Sequence, residues 1–510
     1  MKKLLHIILI LIVFCTVSCK KDFLVLFPEG QINEGNFYKT ADDFKQAVVG
    51  AYVPLRDIAY YAFYMDEMRS DNTKYDYNSK DRGGAGYEQL GDFLDDASNA
   101  VIAYRWTADY KGIQRTNVIL DRISNIDATI SDADKNQIIG EAKALRAHYY
   151  FDLVRCFGGV PLYLHEVKDN ESAFISRSPV ESVYTQIIAD FSDALNLLAP
   201  PNKFPQSGRI TQGMVATELG LVYLTRKDYA KATPLLLNVT QMGYALLPNY
   251  ADVFTLANKN SKESIFEVQY KAGTDGQQSQ FIYRFIPVTP NTQNILGVNY
   301  NNTVGGFNVP TDDMVAAYEA GDKRLDVSIA VAKGVYNSNI DFLADSIVSI
   351  LHPSTPGKVS KMFIKKYYNK PYGLQNNTDD NWPLYRYADV LLMLAESLNE
   401  DGKPTEALPY LNQVRTRAGL APTTSTDQAA LRTIILHERR VELAFENHRW
   451  FDLVRTGQAI AVMNAFGVQQ KLKYSYLLPT AYTVTQNRLI YAIPFRETQV
   501  NKALLQNPDY

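Results

Sequence analysis

A segment near residue 440 is dense in acidic and basic side chains and is the first candidate for chemistry. Glu438 and Glu442 are four residues apart, so a helix would place both carboxylates on one face. Two carboxylates can hydrolyse a glycosidic bond when one of them donates a proton. That proton donor needs a raised pKa, whereas Arg439, Arg440 and Arg449 lie close enough in sequence to hold each carboxylate ionised. The pattern therefore favours a structural ion-pair network over a catalytic pair.

Other catalytic and metal-binding signatures are absent from the sequence. The segment from His437 to Val441 lacks the second histidine of a zinc-protease motif. No G-x-S-x-G, P-loop, dinucleotide-binding glycine pattern or C-x-x-C pair occurs. The acidic loop Asp66 to Asp76 carries the oxygen ligands that Ca2+ prefers, with a solvated, metal-free loop as the alternative. We predict a protein that has no catalytic activity. We also predict that it binds no cofactor, except that Ca2+ could bind in this loop.

Two segments without helical periodicity combine aromatic rings with amide and carboxylate groups. A sugar presents apolar C–H faces and polar hydroxyl edges, so its receptor needs exposed rings flanked by hydrogen-bonding side chains. Arg69 to Asp96 and Gly273 to Pro310 supply both. The candidate ligand contacts are Asp71, Asn72, Tyr75, Tyr77 and Tyr87 in the first segment and Tyr283, Phe285, Asn294 and Tyr300 in the second, with Phe307, Asn291, Gln293 and Asn299 as further members. The alternative is that these rings pack locally or face a partner protein.

The elements that position these segments are predicted to be helices. Apolar residues recur at helical spacing from residues 44, 138 and 180 onwards. Thr40 with Asp43 forms a start like a capping box. Ser178 before Pro179 predicts an N-cap followed by a proline in the first helical position.

Two stretches resemble the helical hairpins of tetratricopeptide proteins, Thr211 to Leu247 and Tyr387 to Gly419. Small residues at the crossing points let paired helices approach, and such pairs bury their apolar faces by stacking on neighbours. Because the hairpins are irregular and far apart, they predict helix pairs wrapped into one compact body. We therefore predict a mainly α fold with an irregular, loop-rich ligand-binding region. A third aperiodic stretch, Tyr336 to Asn381, is predicted to contain short strands such as Met362 to Tyr368.

The first nineteen residues predict export and lipid attachment. Two lysines precede an apolar run from Leu4 to Val17, which is typical of a secretory signal and shorter than the roughly 20 residues needed to cross a bilayer. The segment from Thr16 to Cys19 resembles a bacterial lipobox, in which the cysteine is acylated, although Thr16 stands where Leu is usual. The alternative is an ordinary exported protein with an unmodified cysteine.

Charge and cysteine content exclude further classes of function. The chain has 510 residues and a formal net charge of −3, so it lacks the basic footprint of a nucleic-acid-binding protein. Cys15 belongs to the signal and Cys19 is the predicted lipid anchor, which leaves Cys156 as the one other thiol. An oxidising compartment can therefore add no intramolecular disulfide, and burial of apolar surface must stabilise the fold.

Several segments together resemble the SusD/RagB family of outer-membrane nutrient-binding lipoproteins. They lie at residues 141–155, 158–162, 385–396, 411–419, 437–446, 449–455, 493–497 and 506–510. The most specific match is His437-Glu-Arg-Arg-Val-Glu-Leu-Ala-Phe-Glu446, followed by Arg449-Trp-Phe-Asp-Leu453 and Arg455. Lys502 stands where a proline is common in the family. The resemblance runs from Cys19 to the last residue, and we expect the chain to be complete.

The resemblance implies a location and a partner. It implies tetratricopeptide-like helix pairs, a lipid anchor in the outer membrane facing the cell surface, and a TonB-dependent transporter barrel of the SusC type. It divides the chain into a signal peptide (1–18), an N-terminal SusD-like region (19–230) and a C-terminal SusD/RagB region (231–510) with a loop-rich insertion at 273–381. Family members bind oligosaccharides, or in some cases peptides, and pass them to the barrel.

The resulting hypothesis is a non-catalytic receptor that binds oligosaccharides or polysaccharides and delivers them to the transporter. Three alternatives stay open at this stage. The same scaffold could bind peptides, it could be a surface glycoside hydrolase, or it could be a structural adaptor that binds no ligand.

Overall fold

The computed structural model of the chain describes residues 37–78, 84–124 and 130–510. The predicted signal peptide and the predicted lipid anchor at Cys19 lie outside the described residues.

Helices dominate the described chain. In the first half they are α1 (Ala41–Tyr52), α2 (Pro54–Ala62), α3 (Ala85–Asp92), α4 (Ala100–Ile123), α5 (Asp132–Phe157), α6 (Asn170–Ala173), α7 (Val180–Leu197), α8 (Gln212–Thr225) and α9 (Tyr229–Val239). In the second half they are α10 (Phe281–Phe285), α11 (Gln293–Leu296), α12 (Asp312–Ala316), α13 (Arg324–Ser328), α14 (Tyr387–Glu400), α15 (Pro404–Ala418), α16 (Gln428–Glu442), α17 (Arg449–Arg455), α18 (Ala459–Lys473) and α19 (Phe495–Val500). A π-helical turn (Phe63–Glu67) follows α2, and 3-10 turns occupy Tyr250–Phe254, Leu256–Asn258 and Asn487–Leu489.

Two helix starts test the sequence signals directly. The capping box before α1 is confirmed, because the Asp43 amide donates to the Thr40 hydroxyl at 3.2 Å and the Thr40 amide donates to the Asp43 carboxylate at 2.8 Å. Helix α7 begins one residue later than predicted. Pro179 occupies the N-cap position in an extended conformation, so Ser178 does not cap the helix.

The helices form a continuous stack in the order α4, α5, α7, α8, α9, α14 and α15, each packed on the next. The two predicted hairpins are confirmed as α8 with α9 and α14 with α15, and α9 packs on α14. Gly220 shows why small residues lie at the crossing, since a Cβ atom there would come within 2.8 Å of Leu236 Cδ2. The mainly α fold with tetratricopeptide-like pairs is therefore confirmed.

One large core runs through most of the molecule. It extends from Phe44 in α1 to Leu504 after α19 and includes residues of all the stacked helices. The predicted boundary between residues 230 and 231 falls inside α9. No helix within the described ranges is long and apolar enough to cross a membrane.

The strands form three small antiparallel sheets. They are β1 (Thr73–Lys74) with β3 (Val309–Pro310), β2 (Ser264–Val268) with β7 (Trp382–Arg386), and β4 (Ile329–Tyr336) between β5 (Phe342–Ser349) and β6 (Val359–Ile364). The predicted strand at Met362 to Tyr368 is thus displaced. Strand β6 ends at Ile364, after which the chain turns, with the Tyr368 amide donating to the Lys365 carbonyl at 2.9 Å. Lys366 in this turn forms a buried ion pair with Glu446 at 2.6 Å.

Candidate functional site

Glu438 and Glu442 form a buried ion-pair network, as the sequence predicts. Both side chains are fully buried at the end of α16. Glu438 pairs with Arg324 at 2.5 Å and with Arg415 at 2.9 Å. Glu442 pairs with Arg324 at 3.1 Å, with Arg386 at 3.0 Å and with Arg417 at 2.5 Å. The arginines come from α13, α15 and the end of β7, so the network ties distant parts of the chain together.

The arginines that follow in the sequence bind elsewhere, which corrects the prediction. Arg439 pairs with Asp389 and Asp452, whereas Arg440 and Arg449 both pair with Asp71. Successive side chains of a helix point in different directions, so neighbours of Glu438 in sequence face other partners.

The pKa values of the two carboxylates are shifted in opposite directions. Burial acts against ionisation of Glu442, but Arg417, Arg386 and Arg324 hold its pKa well below its ordinary value. Burial raises the pKa of Glu438 despite Arg324 and Arg415, so the arginines do not lower the pKa of both groups. A raised pKa suits a proton donor, yet Glu438 has no exposed surface. No sugar can reach this carboxyl group unless the core opens.

The predicted Ca2+ loop is occupied by ion pairs. Asp66 pairs with Arg105 at 2.7 Å, Asp71 with Arg449 at 2.8 Å, and Asp76 with Lys361. Burial opposes ionisation of Asp71, but Arg449 and Arg440 lower its pKa. Within the described ranges, no group of three or more His, Cys, Asp or Glu side chains is placed to hold a metal. Ca2+ binding in this loop stays a prediction without structural support.

The two aperiodic segments meet along a line that we call the loop seam (Asp76, Tyr77, Tyr87, Arg284, Gly306 and Phe307). Strand β1 of the first segment pairs with β3 of the second, with Lys74 opposite Val309. Two residues after Lys74, the Asp76 amide donates to the Gly306 carbonyl at 2.7 Å. Tyr77 directly follows Asp76, and Phe307 directly follows Gly306. Each segment therefore places one aromatic residue next to this hydrogen bond.

Glycine permits the close approach of backbones at the seam. Gly306 has φ of +78°, and a Cβ atom there would lie 3.1 Å from Asp76 Cβ. A Cβ on Gly84 would lie 3.0 Å from the Phe307 ring. At Gly306 the positive φ disfavours any residue with a side chain. At both positions an added Cβ atom would also press against its neighbour.

Tyr77 is an exposed ring supported from below. Its side chain is 37% exposed and stacks on Tyr476, with ring centroids 4.2 Å apart and planes 9° apart. Tyr476 in turn contacts Tyr474, and Lys74 lies 4.7 Å from the Tyr474 ring. A cleft of about 1000 Å3 opens beside this stack and is lined in part by Lys74 and Tyr474. The stack fixes the orientation of Tyr77 and leaves part of the residue exposed.

A second exposed ring, Tyr104, begins a chain of aromatic contacts that reaches the seam. We call it the ring cluster, and its members are Tyr60, Tyr61, Tyr64, Tyr87, Tyr104 and Phe307. Tyr104 is 53% exposed and stacks on Tyr61 with centroids 5.2 Å apart. Tyr61 contacts Tyr60 at a centroid distance of 5.0 Å, and Tyr60 contacts Tyr64 at 6.2 Å. Tyr64 contacts Tyr87 at 4.2 Å, and Tyr87 contacts Phe307 at 5.3 Å.

Five of the nine predicted ligand contacts lie in the interior. They are Asp71, Asn72, Tyr75, Tyr283 and Phe285. Their polar groups already have partners: the Tyr75 hydroxyl donates to Asp92 at 2.7 Å, the Asn72 amide donates to Glu67 at 2.9 Å, and the Tyr283 hydroxyl donates to the Leu374 carbonyl at 2.8 Å. We therefore propose no direct ligand contact for these five residues, which hold the loops in place.

The remaining predicted contacts fall into two groups. Tyr77 and Tyr87 lie at the loop seam. Asn294 and Tyr300 lie near the three-stranded sheet, where the Asn294 amide donates to the Ala344 carbonyl at 2.9 Å and the Tyr300 hydroxyl donates to the Gly373 carbonyl at 2.9 Å. Tyr300 contacts the ring of Tyr283, which directly precedes Arg284 of the seam, at a centroid distance of 6.0 Å.

Sequence reasoning missed several rings of the site. Tyr60, Tyr61 and Tyr104 occupy helices α2 and α4, where aromatic residues at helical spacing indicate core packing. Tyr474 and Tyr476 carried a usable signal, because two tyrosines in alternate positions follow the last apolar residues of α18.

The fold and the seam can now be compared with known proteins. A sequence profile of the SusD family matches residues 262–510. A second profile, described as starch-binding and associating with the outer membrane, matches residues 38–224. The chain belongs to the SusD/RagB family.

Relatives align over almost the whole chain. SusD-like protein P25 of Formosa agariphila is 27% identical over 98% of this chain and 97% of its own. A SusD-like protein of Bacteroides ovatus is 26% identical over 86% of this chain and 79% of its own.

Solved structures share the fold. A laminarin-binding SusD-like protein superposes with a TM-score of 0.74 at 26% identity, covering 93% of this chain and 100% of the other. Surface glycan-binding protein A from Bacteroides thetaiotaomicron, solved with laminarihexaose, gives 0.71 at 22% identity, covering 91% and 99%. At that identity the second likeness shows the fold alone.

Proposed function

We propose that this chain is a non-catalytic, lipid-anchored receptor that binds glycans at the loop seam and delivers them to a TonB-dependent outer-membrane transporter. The observation that carries the proposal is the pair of exposed rings, Tyr77 and Tyr104, each stacked on a partly buried tyrosine. Rings held in this way lose little conformational freedom when a sugar face covers them. The half-buried Tyr87 and Phe307 belong to the ring cluster that leads from Tyr104 to the seam, and they add apolar surface.

The comparisons support the ligand class. The laminarin-binding relative shares the fold at 26% identity, and the profile over residues 38–224 is described as starch-binding. Both ligands are polymers of neutral sugars, whose C–H faces suit aromatic stacking. We propose glycan binding for this chain on these grounds, and peptide binding remains the alternative to test.

The position of the carboxylates supports the proposal of a non-catalytic receptor. The only carboxylate pair that the sequence singled out, Glu438 with Glu442, is sealed in the core by arginines. A hydrolase needs its acid and its base on opposite sides of an accessible bond.

Membrane attachment through Cys19 rests on the lipobox-like segment and on the outer-membrane association in the family description.

A binding panel with product analysis tests the proposal. The mature protein with Cys19 replaced by Ser is run through native gels containing single polysaccharides, and the same mixtures are assayed for new reducing ends. We expect slowed migration in at least one gel and no new reducing ends. Release of reducing ends would establish a hydrolase. Binding to peptide mixtures in calorimetry without binding to any polysaccharide would establish the peptide alternative.

The partner requires a separate experiment. Tagged full-length protein is purified from detergent-solubilised outer membranes of its own host. We expect a TonB-dependent barrel to copurify in stoichiometric amount. A preparation in which the full-length protein is pure and free of any barrel would contradict the delivery step.

A further inference from the structure

Arg284 is a cation at the loop seam that has no counter-ion within the part of the chain that the structure describes. It lies in the short helix α10, and its side chain is partly buried. Among the described residues it forms one side-chain hydrogen bond, a long one of 3.4 Å from Nη2 to Gln280 Oε1. Its Nε atom is buried and has no acceptor. No carboxylate of the described chain forms an ion pair with it.

The buried arginines of the described chain all pair with carboxylates, whereas the half-buried Arg56, Arg115 and Arg177 donate to carbonyl oxygens instead. Arg324 binds three carboxylates and Arg386 also binds three. A buried donor left without an acceptor costs about 1–3 kcal/mol, and an unsatisfied group in a native structure calls for an explanation. The contact that partly compensates is the Tyr60 ring, whose centroid lies 5.4 Å from the Arg284 guanidinium.

The surroundings of Arg284 are those of a sugar site. Its carbonyl accepts a hydrogen bond from the Phe307 amide at 2.9 Å, so its backbone is fixed to the seam. Tyr60 belongs to the ring cluster that ends at the exposed Tyr104. Two further cations of the described residues lie near the seam: Lys361 is paired with Asp76, and Lys74 donates to the Tyr75 carbonyl and lies over the Tyr474 ring. A ligand lying across the ring cluster would meet the charge of Arg284, which no carboxylate of the described residues neutralises.

A guanidinium group selects a particular type of substituent. Its fork of N–H donors matches the paired oxygens of a carboxylate or of a sulfate ester, and such charge-assisted bonds are stronger than those to neutral hydroxyls. A neutral glycan would leave the charge of Arg284 uncompensated. An acidic glycan would supply the missing counter-ion.

We propose that the seam binds an acidic glycan, in which a uronate carboxylate or a sulfate ester accepts hydrogen bonds from Arg284. This inference rests on the proposed function, because it specifies the ligand of the same site.

The test compares each acidic polysaccharide with its own neutral form. Wild-type protein is titrated calorimetrically with a polyuronate and its carboxyl-reduced form, and with a sulfated polysaccharide and its desulfated form. We expect at least one acidic form to bind at least about tenfold more tightly than its neutral counterpart. The pair that shows the difference identifies the anion as carboxylate or sulfate.

Two variants assign the effect to Arg284. Arg284→Gln should weaken binding of the acidic form at least about tenfold and bring it close to that of the neutral form. Arg284→Lys keeps the charge but loses the fork, so an intermediate affinity is expected. Arg496→Gln is the matched control, because Arg496 is exposed in α19 and the variant has the same net charge. Its affinity should equal that of the wild type.

The outcomes separate the inference from the proposed function. Equal affinity of wild type for acidic and neutral forms would overturn the inference while glycan binding stands. Unchanged acidic binding by a folded Arg284→Gln variant would overturn it as well. Failure to bind any polysaccharide, acidic or neutral, would overturn the proposed function itself. The wild-type comparison decides the matter even if Arg284→Gln does not fold.

Discussion

At the scale of single residues, the chain treats charge in two opposite ways. In the buried network at the end of α16, carboxylates and arginines are matched, as with Glu442 and its three arginines. At the loop seam the groups that we propose for binding are rings, and Arg284 has no carboxylate partner among the described residues. The matched ions stabilise the fold, and we propose that the rings and Arg284 contact the ligand.

Glu442→Gln tests the structural role of the buried network. Removing one charge leaves three arginines without full compensation, so the free energy of unfolding should fall by about 3–5 kcal/mol at pH 7. The pKa of Glu442 in the folded protein is lowered from an unfolded value of about 4.3. Its stabilising contribution is therefore present above the unfolded pKa and is lost as the pH falls through the folded pKa.

Urea denaturation at pH 7 and pH 4 measures both effects. The wild type should lose stability towards pH 4, and Glu442→Gln should lose less over the same range. Glu406→Gln, a change at an exposed position in α15, is the control and should match the wild type. Equal stability of Glu442→Gln and wild type at pH 7 would show that the network is not structurally important.

At the scale of elements, the helices were predictable and the site was predictable only in part. Helical periodicity and capping signals are local, so the capping box before α1 and the two hairpins appear in the sequence. The pairing of β1 with β3 joins residues about 235 positions apart in the chain, and no local pattern encodes it. For the same reason, aromatic content located the two aperiodic segments but did not show that Tyr75 and Tyr283 point inward.

Gly306→Ala tests whether the seam positions the rings. The substitution imposes a positive φ on a residue with a side chain and places Cβ 3.1 Å from Asp76 Cβ. The backbone conformation alone costs about 1 kcal/mol. We expect polysaccharide affinity to fall several-fold because Tyr77 and Phe307 shift relative to each other.

Gly321→Ala is the matched control for this change. Gly321 has φ of +85°, but no atom lies within 4 Å of an added Cβ. It should lower the melting temperature by a similar amount and leave affinity unchanged. If both variants bind as tightly as the wild type, the seam does not position the binding rings.

At the scale of the whole molecule, a stack of helices supports the loops of the seam. The large core continues from α1 to the segment after α19, and the second loop segment also packs in a smaller core with the three-stranded sheet. Such a support holds binding residues in place without requiring the loops to fold on the ligand. The proposed anchor at Cys19 would add attachment to the membrane without altering this body.

Cys19→Ser tests the anchor. The cysteine thiol is the group that a lipobox processes, so the variant should incorporate no labelled fatty acid and should leave the membrane fraction. Cys156→Ser, a change at the buried cysteine of α5, should remain lipidated. Fatty-acid incorporation by Cys19→Ser equal to that of the wild type would contradict lipidation at this residue.

The most direct measurement is a calorimetric titration of the polysaccharide that binds best into wild type and Tyr77→Ala/Tyr104→Ala. Both exposed rings stand on partners that remain in place, so the double variant should fold normally and lose at least about tenfold in affinity, or about 1.4 kcal/mol. Phe174→Ala removes an exposed ring outside the seam and should bind as the wild type does. Wild-type affinity in the folded double variant would contradict glycan binding by these rings.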